Sequence, residues 1–154
     1  DTVSAALTDT GLPAAVLCLE VTEHMVVEKP EQTGRVLDAL QRLGVQLAID
    51  DFGTGHSAIS HLARFDFEIL KIDRSFVHNL ARSKKDSDLV TAVVAMAHSL
   101  GLKVIADGVE NEAQLKFLRD GDCDLAQGFY LGQPLPADEF MDLLLGRRGE
   151  TARA

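Results

Sequence analysis

Acidic side chains stand at or near the ends of several short apolar runs in this chain, where carboxylates could act together. Asp50 and Asp51 follow VQLAI, Glu20 lies in VLCLEV, Asp107 follows KVIA, and Lys71 lies in FEILKID. Carboxylate oxygens are the ligands that Mg²⁺ and Mn²⁺ prefer in proteins. Adjacent aspartates on a strand diverge and can contact two ions. This pattern fits a phosphoryl-transfer site whose two metals lie about 3.5–4 Å apart.

The segments around these residues predict the elements that position them. Apolar runs predict strands at 16–21, 45–50, 67–73, 103–107 and 125–131, and helical periodicity predicts helices at 30–44, 57–65, 86–101, 111–121 and 136–146. Alternating strands and helices favour an α/β fold with a parallel sheet. The carboxyl ends of parallel strands share one edge, where ligands bind. We therefore expect the acids, Lys71 and Gln127 to converge at that edge.

Each polar strand end also has a purely structural interpretation. A single Asp there is often solvated or caps a helix; Asp86 or Ser87, for example, is expected to cap the helix at 86–101. Asp73 either contacts substrate or metal ligands, or forms a salt bridge with Arg74 or Lys71. Lys71 is either an ion-pair partner of the acids or a group that stabilises a phosphoryl oxygen or the attacking water. Several acids in succession disfavour the structural interpretation, because they would repel one another unless cations neutralised them.

Length, charge and cysteine content exclude some classes of protein. The chain has 154 residues, enough for one domain with a core, and a net charge of −9. An acidic surface disfavours a nucleic-acid polymer as partner, and an anionic ligand would need a metal ion to offset its charge. No apolar run approaches the roughly 20 residues of a membrane helix. The two cysteines form no CxxC motif, which favours a cytoplasmic location.

Five motifs together resemble the later part of an EAL domain, the bacterial cyclic di-GMP phosphodiesterase. They are LCLEVTE at 17–23, AIDDFGTGHS at 48–57, LKIDRSFV at 70–77, VIADGVE at 104–110 and AQGFYLGQPLP at 126–136. The resemblance implies a partial TIM-like (β/α) barrel of about five βα units over residues 1–146, with a frayed tail at 147–154. It also implies hydrolysis of cyclic di-GMP to linear pGpG with Mg²⁺ or Mn²⁺. A GGDEF or sensory domain often precedes such a domain.

The resemblance assigns roles to residues at matching positions. Glu20, Asp50 and Asp51 match metal ligands, and Lys71 matches the catalytic lysine near the attacking water. Asp107 matches a ligand of the second metal, and the resemblance implies a catalytic role for this residue as well. The loop and substrate positions are Glu23, which holds the loop after the paired acids, and Gly53, Thr54, Gly55, Asp73 and Gln127.

This chain departs from the family pattern in two ways. Asp107 stands where the family usually has Glu, so its reach is shorter by one C–C bond, about 1.5 Å, and occupancy of the second metal site is affected. The Glu-Ala-Leu motif and an Asn ligand on the following strand do not occur. We expect the chain to cover only part of a barrel, which typically needs about 250 residues. Its open edges are then expected to self-associate or to bind the missing barrel half, and the chain alone is expected to be inactive.

Two other functions remain open from the sequence. A degenerate EAL domain could bind cyclic di-GMP as an effector without cleaving it; Asp107 leaves room for this alternative, whereas the retained acids and Lys71 disfavour it. A flavodoxin-like receiver domain also combines acidic residues with a lysine. A receiver, however, places its acidic pair on the first strand and its lysine on the last, and here Lys71 follows Asp51 by a single βα unit.

Overall fold

The computed structural model describes residues 2–28, 30–53, 62, 64–80 and 83–146. Thr54, Gly55, most of the helix expected at 57–65 and the tail at 147–154 lie outside the described residues. The helices are α1 Thr2–Thr10, α2 Glu23–Glu28, α3 Pro30–Leu43, α4 Arg74–His78, α5 Lys84–Ser99, α6 Glu112–Asp120 and α7 Ala137–Leu144, with a 3₁₀ turn at Ala14–Val16. The strands are β1 Cys18–Thr22, β2 Gln46–Phe52, β3 Ile69–Ile72, β4 Lys103–Ala106 and β5 Leu125–Ala126.

The five strands form one parallel sheet in sequence order, β1-β2-β3-β4-β5. Helices lie between β1 and β2, between β3 and β4 and between β4 and β5, as expected for parallel strands joined by crossovers, and most of the connection from β2 to β3 lies outside the described residues. The predicted α/β fold with a parallel sheet is therefore confirmed. Sequential order in a parallel sheet is the arrangement found in (β/α) barrels, so the partial barrel is confirmed as well.

The core lies between the strands and the helices that cover them. The central strands are buried along most of their length, with Leu47, Ile49, Leu70, Ile72 and Val104 almost inaccessible to solvent. Continuous apolar runs of this kind are typical of parallel strands that are covered on both faces. Lys71 is the exception within β3, because it is charged and yet buried.

The fifth strand is shorter than predicted. The run LAQGFYL predicts a strand over 125–131, but β5 contains only Leu125 and Ala126. The chain then turns, since the Tyr130 N–H donates to the Val109 carbonyl and the Leu131 N–H donates to the Gly128 carbonyl. The aromatic residues after Gly128 therefore belong to a loop over the carboxyl end of the sheet.

The start of α5 also differs from the prediction. Ser83, and neither Asp86 nor Ser87, is the N-cap, because its side chain accepts a hydrogen bond from the Asp86 N–H. Asn111 and Gln114 form a reciprocal capping box at the start of α6. Across the helices that the structure describes, none combines the length and the hydropathy needed to cross a membrane.

Candidate active site

Lys71 is the centre of a charge cluster that joins three neighbouring strands. Its Nζ lies 2.7 Å from Glu20 Oε2 on β1 and 3.4 Å from Asp50 Oδ1 on β2. Glu20 is in register with Ala48, and Ala48 with Ile69. Asp50 lies two residues after Ala48, and Lys71 lies two residues after Ile69. Because side chains alternate between the two faces of a strand, Glu20, Asp50 and Lys71 lie on the same face of the sheet.

The surroundings of Lys71 keep its ammonium group charged. Burial on its own lowers the pKa of Lys71, but the hydrogen bond to Glu20 and the negative charges of Asp50 and Glu20 outweigh it. Its pKa therefore lies above the ordinary lysine value. A buried ammonium needs such partners, because an unpaired charge away from water is very costly.

Asp51 lies at an irregularity in β2. The register between β2 and β3 shifts between Ile49 and Phe52, and Asp51 has a φ of 56°. This left-handed conformation is rare for residues other than Gly, Asn and Asp, and it indicates a β-bulge that redirects the side chain. The Asp51 N–H donates to Asp50 Oδ1 at 2.9 Å. The two acids are thus arranged by a bulge rather than by simple alternation along a strand.

Neighbouring acids affect the ionisation of Asp51. Partial burial and the charges of Asp50, Asp73 and Asp107 raise its pKa above the usual aspartate value, and Lys71 opposes this effect. Residues from three strand ends therefore act electrostatically on one carboxylate. The convergence predicted from the strand ends is present for these side chains.

Glu23 connects the start of α2 to the loop after the paired acids. Its side chain is buried, and Oε2 accepts a hydrogen bond from the Gly53 N–H at 3.0 Å. Gly53 has a φ of 99°, and a Cβ there would lie 2.9 Å from Phe76 Cε2. Only glycine combines this conformation with this close approach. The structure thus brings Glu23 to the loop that the sequence interpretation assigned to it.

Asp107 forms hydrogen bonds with neighbouring backbone groups. Its Oδ1 accepts the Gly108 N–H at 2.8 Å, and its own N–H donates to the Ile72 carbonyl. Within the described part of the chain, no salt bridge joins Asp107 to Lys71, and no group of three or more His, Cys, Asp or Glu is arranged to hold a metal ion. The donor chemistry still fits a hard divalent cation, because Glu20 and Asp50 contact the same ammonium and the charges of Asp50 and Asp107 both act on Asp51.

Asp73 caps a helix, the structural role that is common for a single Asp at a strand end, and makes neither of the two contacts considered for it specifically. It is the N-cap of α4, and its Oδ1 accepts hydrogen bonds from the backbone N–H and the hydroxyl of Ser75. It still lies close enough to the site to raise the pKa of Asp51. Its main contact orients the short helix that carries Arg74 and His78.

A cavity of about 770 Å³ adjoins Asp107 and Gln127. Its lining residues come mainly from α4, the segments after β4 and β5, and α7: Arg74, Ser75, His78, Asn79, Asp107, Gly108, Glu110, Gln127, Gly128, Phe129, Gly132, Gln133, Pro134, Leu135 and Phe140. His78 Nδ1 lies 3.1 Å from Glu110 Oε2 across its wall. This volume is within the range of small-molecule sites, and aromatic rings with a few polar groups are a typical lining.

Sequence reasoning missed most of the polar residues of this cavity. Arg74 and His78 lie at positions i and i+4 of α4, a helix too short to be recognised from periodicity. The signal that could have identified them is Asp73 as an N-cap, since it places the next residues in a helix directly at the carboxyl end of β3.

Comparison with known proteins gives a consistent result. The EAL domain family model matches residues 1–134. The chain is 43% identical over 152 residues to the cyclic di-GMP phosphodiesterase NbdA of Pseudomonas aeruginosa, covering 99% of this chain and 19% of NbdA. The chain therefore spans about a fifth of that curated relative.

Solved structures share the fold at appreciable identity. The complex of the PaMucR phosphodiesterase with c-di-GMP superposes with a TM-score of 0.87 at 42% identity, covering 91% of this chain and 57% of that one. A manganese/cy-diGMP complex of Klebsiella pneumoniae BlrP1 superposes with a TM-score of 0.78 at 36% identity, covering 83% of this chain and 33% of that one. With the family model matching most of its length, this chain belongs to the EAL domain family.

Proposed function

We propose that this chain forms part of a domain that hydrolyses cyclic di-GMP to linear pGpG with Mg²⁺ or Mn²⁺. The observation that carries the proposal is the cluster in which buried Lys71 joins Glu20 and Asp50 at the carboxyl edge of the sheet. A cavity of ligand size adjoins the same edge. Relatives named as phosphodiesterases or solved with cyclic di-GMP support the choice of substrate.

The metal ligands in this proposal are the carboxylates of the edge. Glu20, Asp50 and Asp51 would hold one ion, and Asp107 would contribute to a second. The chemistry that bound divalent ions supply in such sites is charge neutralisation at the phosphate and a lower pKa of a bound water. The manganese complex of BlrP1 supports a divalent ion in the family. The residues of this chain must then orient the substrate and the water.

Lys71 would contribute a fixed positive charge to the reaction. Its ammonium is held by two carboxylates and cannot swing freely, because the side chain is buried. A preoriented donor stabilises developing negative charge better than a mobile one, since it needs no reorganisation during the reaction. We assign Lys71 to the phosphoryl oxygen or to the attacking water.

The cavity beside Asp107 would hold a purine base of the substrate. Phe129 and Phe140 offer aromatic faces, and Arg74 and Asn79 offer hydrogen-bond donors. Nucleobases bind proteins through this combination of stacking and edge hydrogen bonds. Gly108 allows the wall to form, because a Cβ there would lie 2.5 Å from Arg74 Cβ.

The experiment that tests this proposal compares the 154-residue chain with a longer protein that contains it. Both are incubated with cyclic di-GMP and Mn²⁺, and pGpG is quantified by chromatography. The longer protein is expected to form pGpG until EDTA removes the metal, and the chain alone is expected to form little or none. Robust turnover by the chain alone would contradict the expected inactivity, and absence of pGpG from both proteins would contradict the proposed function.

One observation favours a second function, binding of cyclic di-GMP without cleavage. Asp107 is engaged with the N–H of Gly108, and it stands where the family usually has the longer Glu. If its reach to a second metal is insufficient, the longer protein will bind cyclic di-GMP with no turnover, and Asp107→Glu will restore turnover. Equal activity and equal metal affinity of both forms would show that the shortening is harmless.

A further inference from the structure

Lys71 bonds to the same carboxylates that the proposed function assigns to a metal ion. Its ammonium lies 2.7 Å from Glu20 Oε2 and 3.4 Å from Asp50 Oδ1. A carboxylate oxygen that accepts a hydrogen bond from an ammonium is a weaker ligand for a cation, because part of its charge is already neutralised. We propose that Lys71 is an internal competitor for the metal, so that it lowers the metal affinity of this edge of the sheet. This inference rests on the metal site of the proposed function.

Burial explains why Lys71 cannot simply leave when a cation arrives. Its side chain is 6% exposed, whereas those of Glu20 and Asp50 are 47% and 24% exposed. The buried ammonium contacts the two acids on the sheet face that all three side chains share, and a hydrated ion would reach the acids through their exposed atoms. Bound cation and ammonium would then face each other across the same carboxylates. Like charges on the same carboxylates repel each other, and the repulsion is greater where solvent is partly excluded.

The exposure of the two acids indicates which one changes partner when a cation binds. The contact with Glu20 is short and well formed, while the contact with Asp50 is long. Although its contact with the ammonium is the shorter one, Glu20 is the more exposed of the two acids, so an ion from solvent reaches it more easily. We therefore infer that a cation takes Glu20 from Lys71 and leaves the ammonium with Asp50. With metal bound, Lys71 would keep its contact with Asp50 and lose the one with Glu20, so it would influence metal loading as well as take part in the reaction.

Lys103 supplies a matched control. It lies on the adjacent strand β4, in register with Ile69, whereas Lys71 is in register with Ile105. Lys103 is exposed and stands at the amino end of its strand, away from the carboxylate edge. Lys71→Met and Lys103→Met each remove one positive charge, and they do so from adjacent strands. Only Lys71→Met removes a charge that contacts Glu20 and Asp50.

Isothermal titration calorimetry with MnCl₂, applied to the wild type and to both lysine variants, tests whether Lys71 competes with the metal ion. Lys71→Met is expected to bind Mn²⁺ at least tenfold more tightly than the wild type, and Lys103→Met within about twofold of it. Equal or weaker binding by Lys71→Met would overturn the inference, because a lysine that organises the ligands would give that result. Failure of both Lys71→Met and the more polar Lys71→Gln to bind Mn²⁺ would overturn it too.

A second measurement uses the wild type and does not depend on a variant that must fold without its buried charge. Lysine labelled with ¹³C at Cε is observed by NMR during titration with diamagnetic Ca²⁺. The Lys71 resonance, identified by its loss in Lys71→Arg, is expected to shift in step with binding of the ion. Binding that leaves this resonance unchanged would overturn the inference. If pGpG never forms but these results are obtained, the proposed function fails and the competition stands.

Discussion

At the scale of single residues, the site depends on contacts between distant parts of the chain. Lys71 and Glu20 are 51 residues apart in sequence and 2.7 Å apart in space. The types of these residues and their places at strand ends were readable from the sequence, because a parallel sheet gathers its carboxyl ends. Their pairing was not readable, since it depends on the stagger between β1, β2 and β3. Asp73 shows the same limit, because its side chain caps α4 instead of joining Lys71.

Glu23 gives a prediction about the support of the metal loop. Glu23→Ala removes the acceptor of the Gly53 N–H in a buried place, so we expect a loss of about 1–3 kcal/mol in the free energy of unfolding. Glu23→Gln keeps an acceptor and should lose less. The exposed Glu28, changed to Gln, is the control. Urea unfolding at neutral pH measures all three variants, and equal stability of Glu23→Ala and the wild type would contradict the role.

Asp124 gives a prediction about pH. Burial raises the pKa of Asp124, but hydrogen bonds from His98 and the Val104 N–H outweigh this effect and lower it below the usual aspartate value. A lowered pKa in the folded state stabilises the protein above the unfolded pKa of about 3.9, and that contribution is lost as the pH falls through the folded value.

Asp124→Asn should therefore be less stable than the wild type at pH 6, and the difference should shrink as the pH falls below about 4. Urea unfolding between pH 6 and pH 3 measures it. Asp120→Asn removes an exposed acid paired with Lys116 and should change stability little at any pH. A difference for Asp124→Asn that stays constant down to pH 3 would contradict the assignment.

At the scale of elements, the strands with apolar runs could be predicted from the sequence, and the short helices could not. Strands β1 to β4 were recognised because each is a short apolar run. Helices α2 and α4 were missed, because they have six and five residues and show no periodicity. The end of β5 was placed too late, since the apolar residues Phe129 to Leu131 follow a turn at Gly128 that only the contact with Val109 reveals.

Gly108 gives a prediction about the packing of α4 against the segment after β4. Gly108 and Gly101 have similar φ values, 80° and 77°, but a Cβ on Gly108 would collide with Arg74, whereas one on Gly101 meets open space. Gly101→Ala should cost roughly 1–2 kcal/mol in stability for its left-handed backbone. Gly108→Ala should cost about 1–3 kcal/mol more, because α4 must move. Equal losses in urea unfolding would contradict the packing described for Arg74.

At the scale of the whole molecule, the described chain leaves apolar surface uncovered. Within residues 2–146, apart from the gaps noted above, β1 and β5 pair on one side only. Helix α7 has no buried residue, and Phe140, Met141, Leu143 and Leu144 on it are exposed. A patch of this kind usually marks an interaction surface. The chain matches 57% of the PaMucR structure, so further residues accompany this unit there.

This surface predicts association of the isolated chain. We expect light scattering after size exclusion to show dimers or larger species at micromolar concentration. Leu144→Glu should shift the population towards monomer, because it places a charge on the exposed face of α7. Leu100→Glu, at an exposed apolar position after α5, is the control. A monomeric wild type at these concentrations would contradict the prediction.

We propose that Glu20, Asp50 and Lys71 form the reactive edge of a cyclic di-GMP phosphodiesterase domain. The most direct test of this proposal is the rate of pGpG formation by the longer protein carrying Glu20→Gln, Lys71→Met or Lys103→Met, with Mn²⁺ and cyclic di-GMP saturating. Removing a preoriented group typically costs about 10²–10³ in kcat. We predict losses of that size for Glu20→Gln and Lys71→Met, and a rate within about twofold of the wild type for Lys103→Met. Wild-type rates in the first two variants would contradict the roles proposed for Glu20 and Lys71.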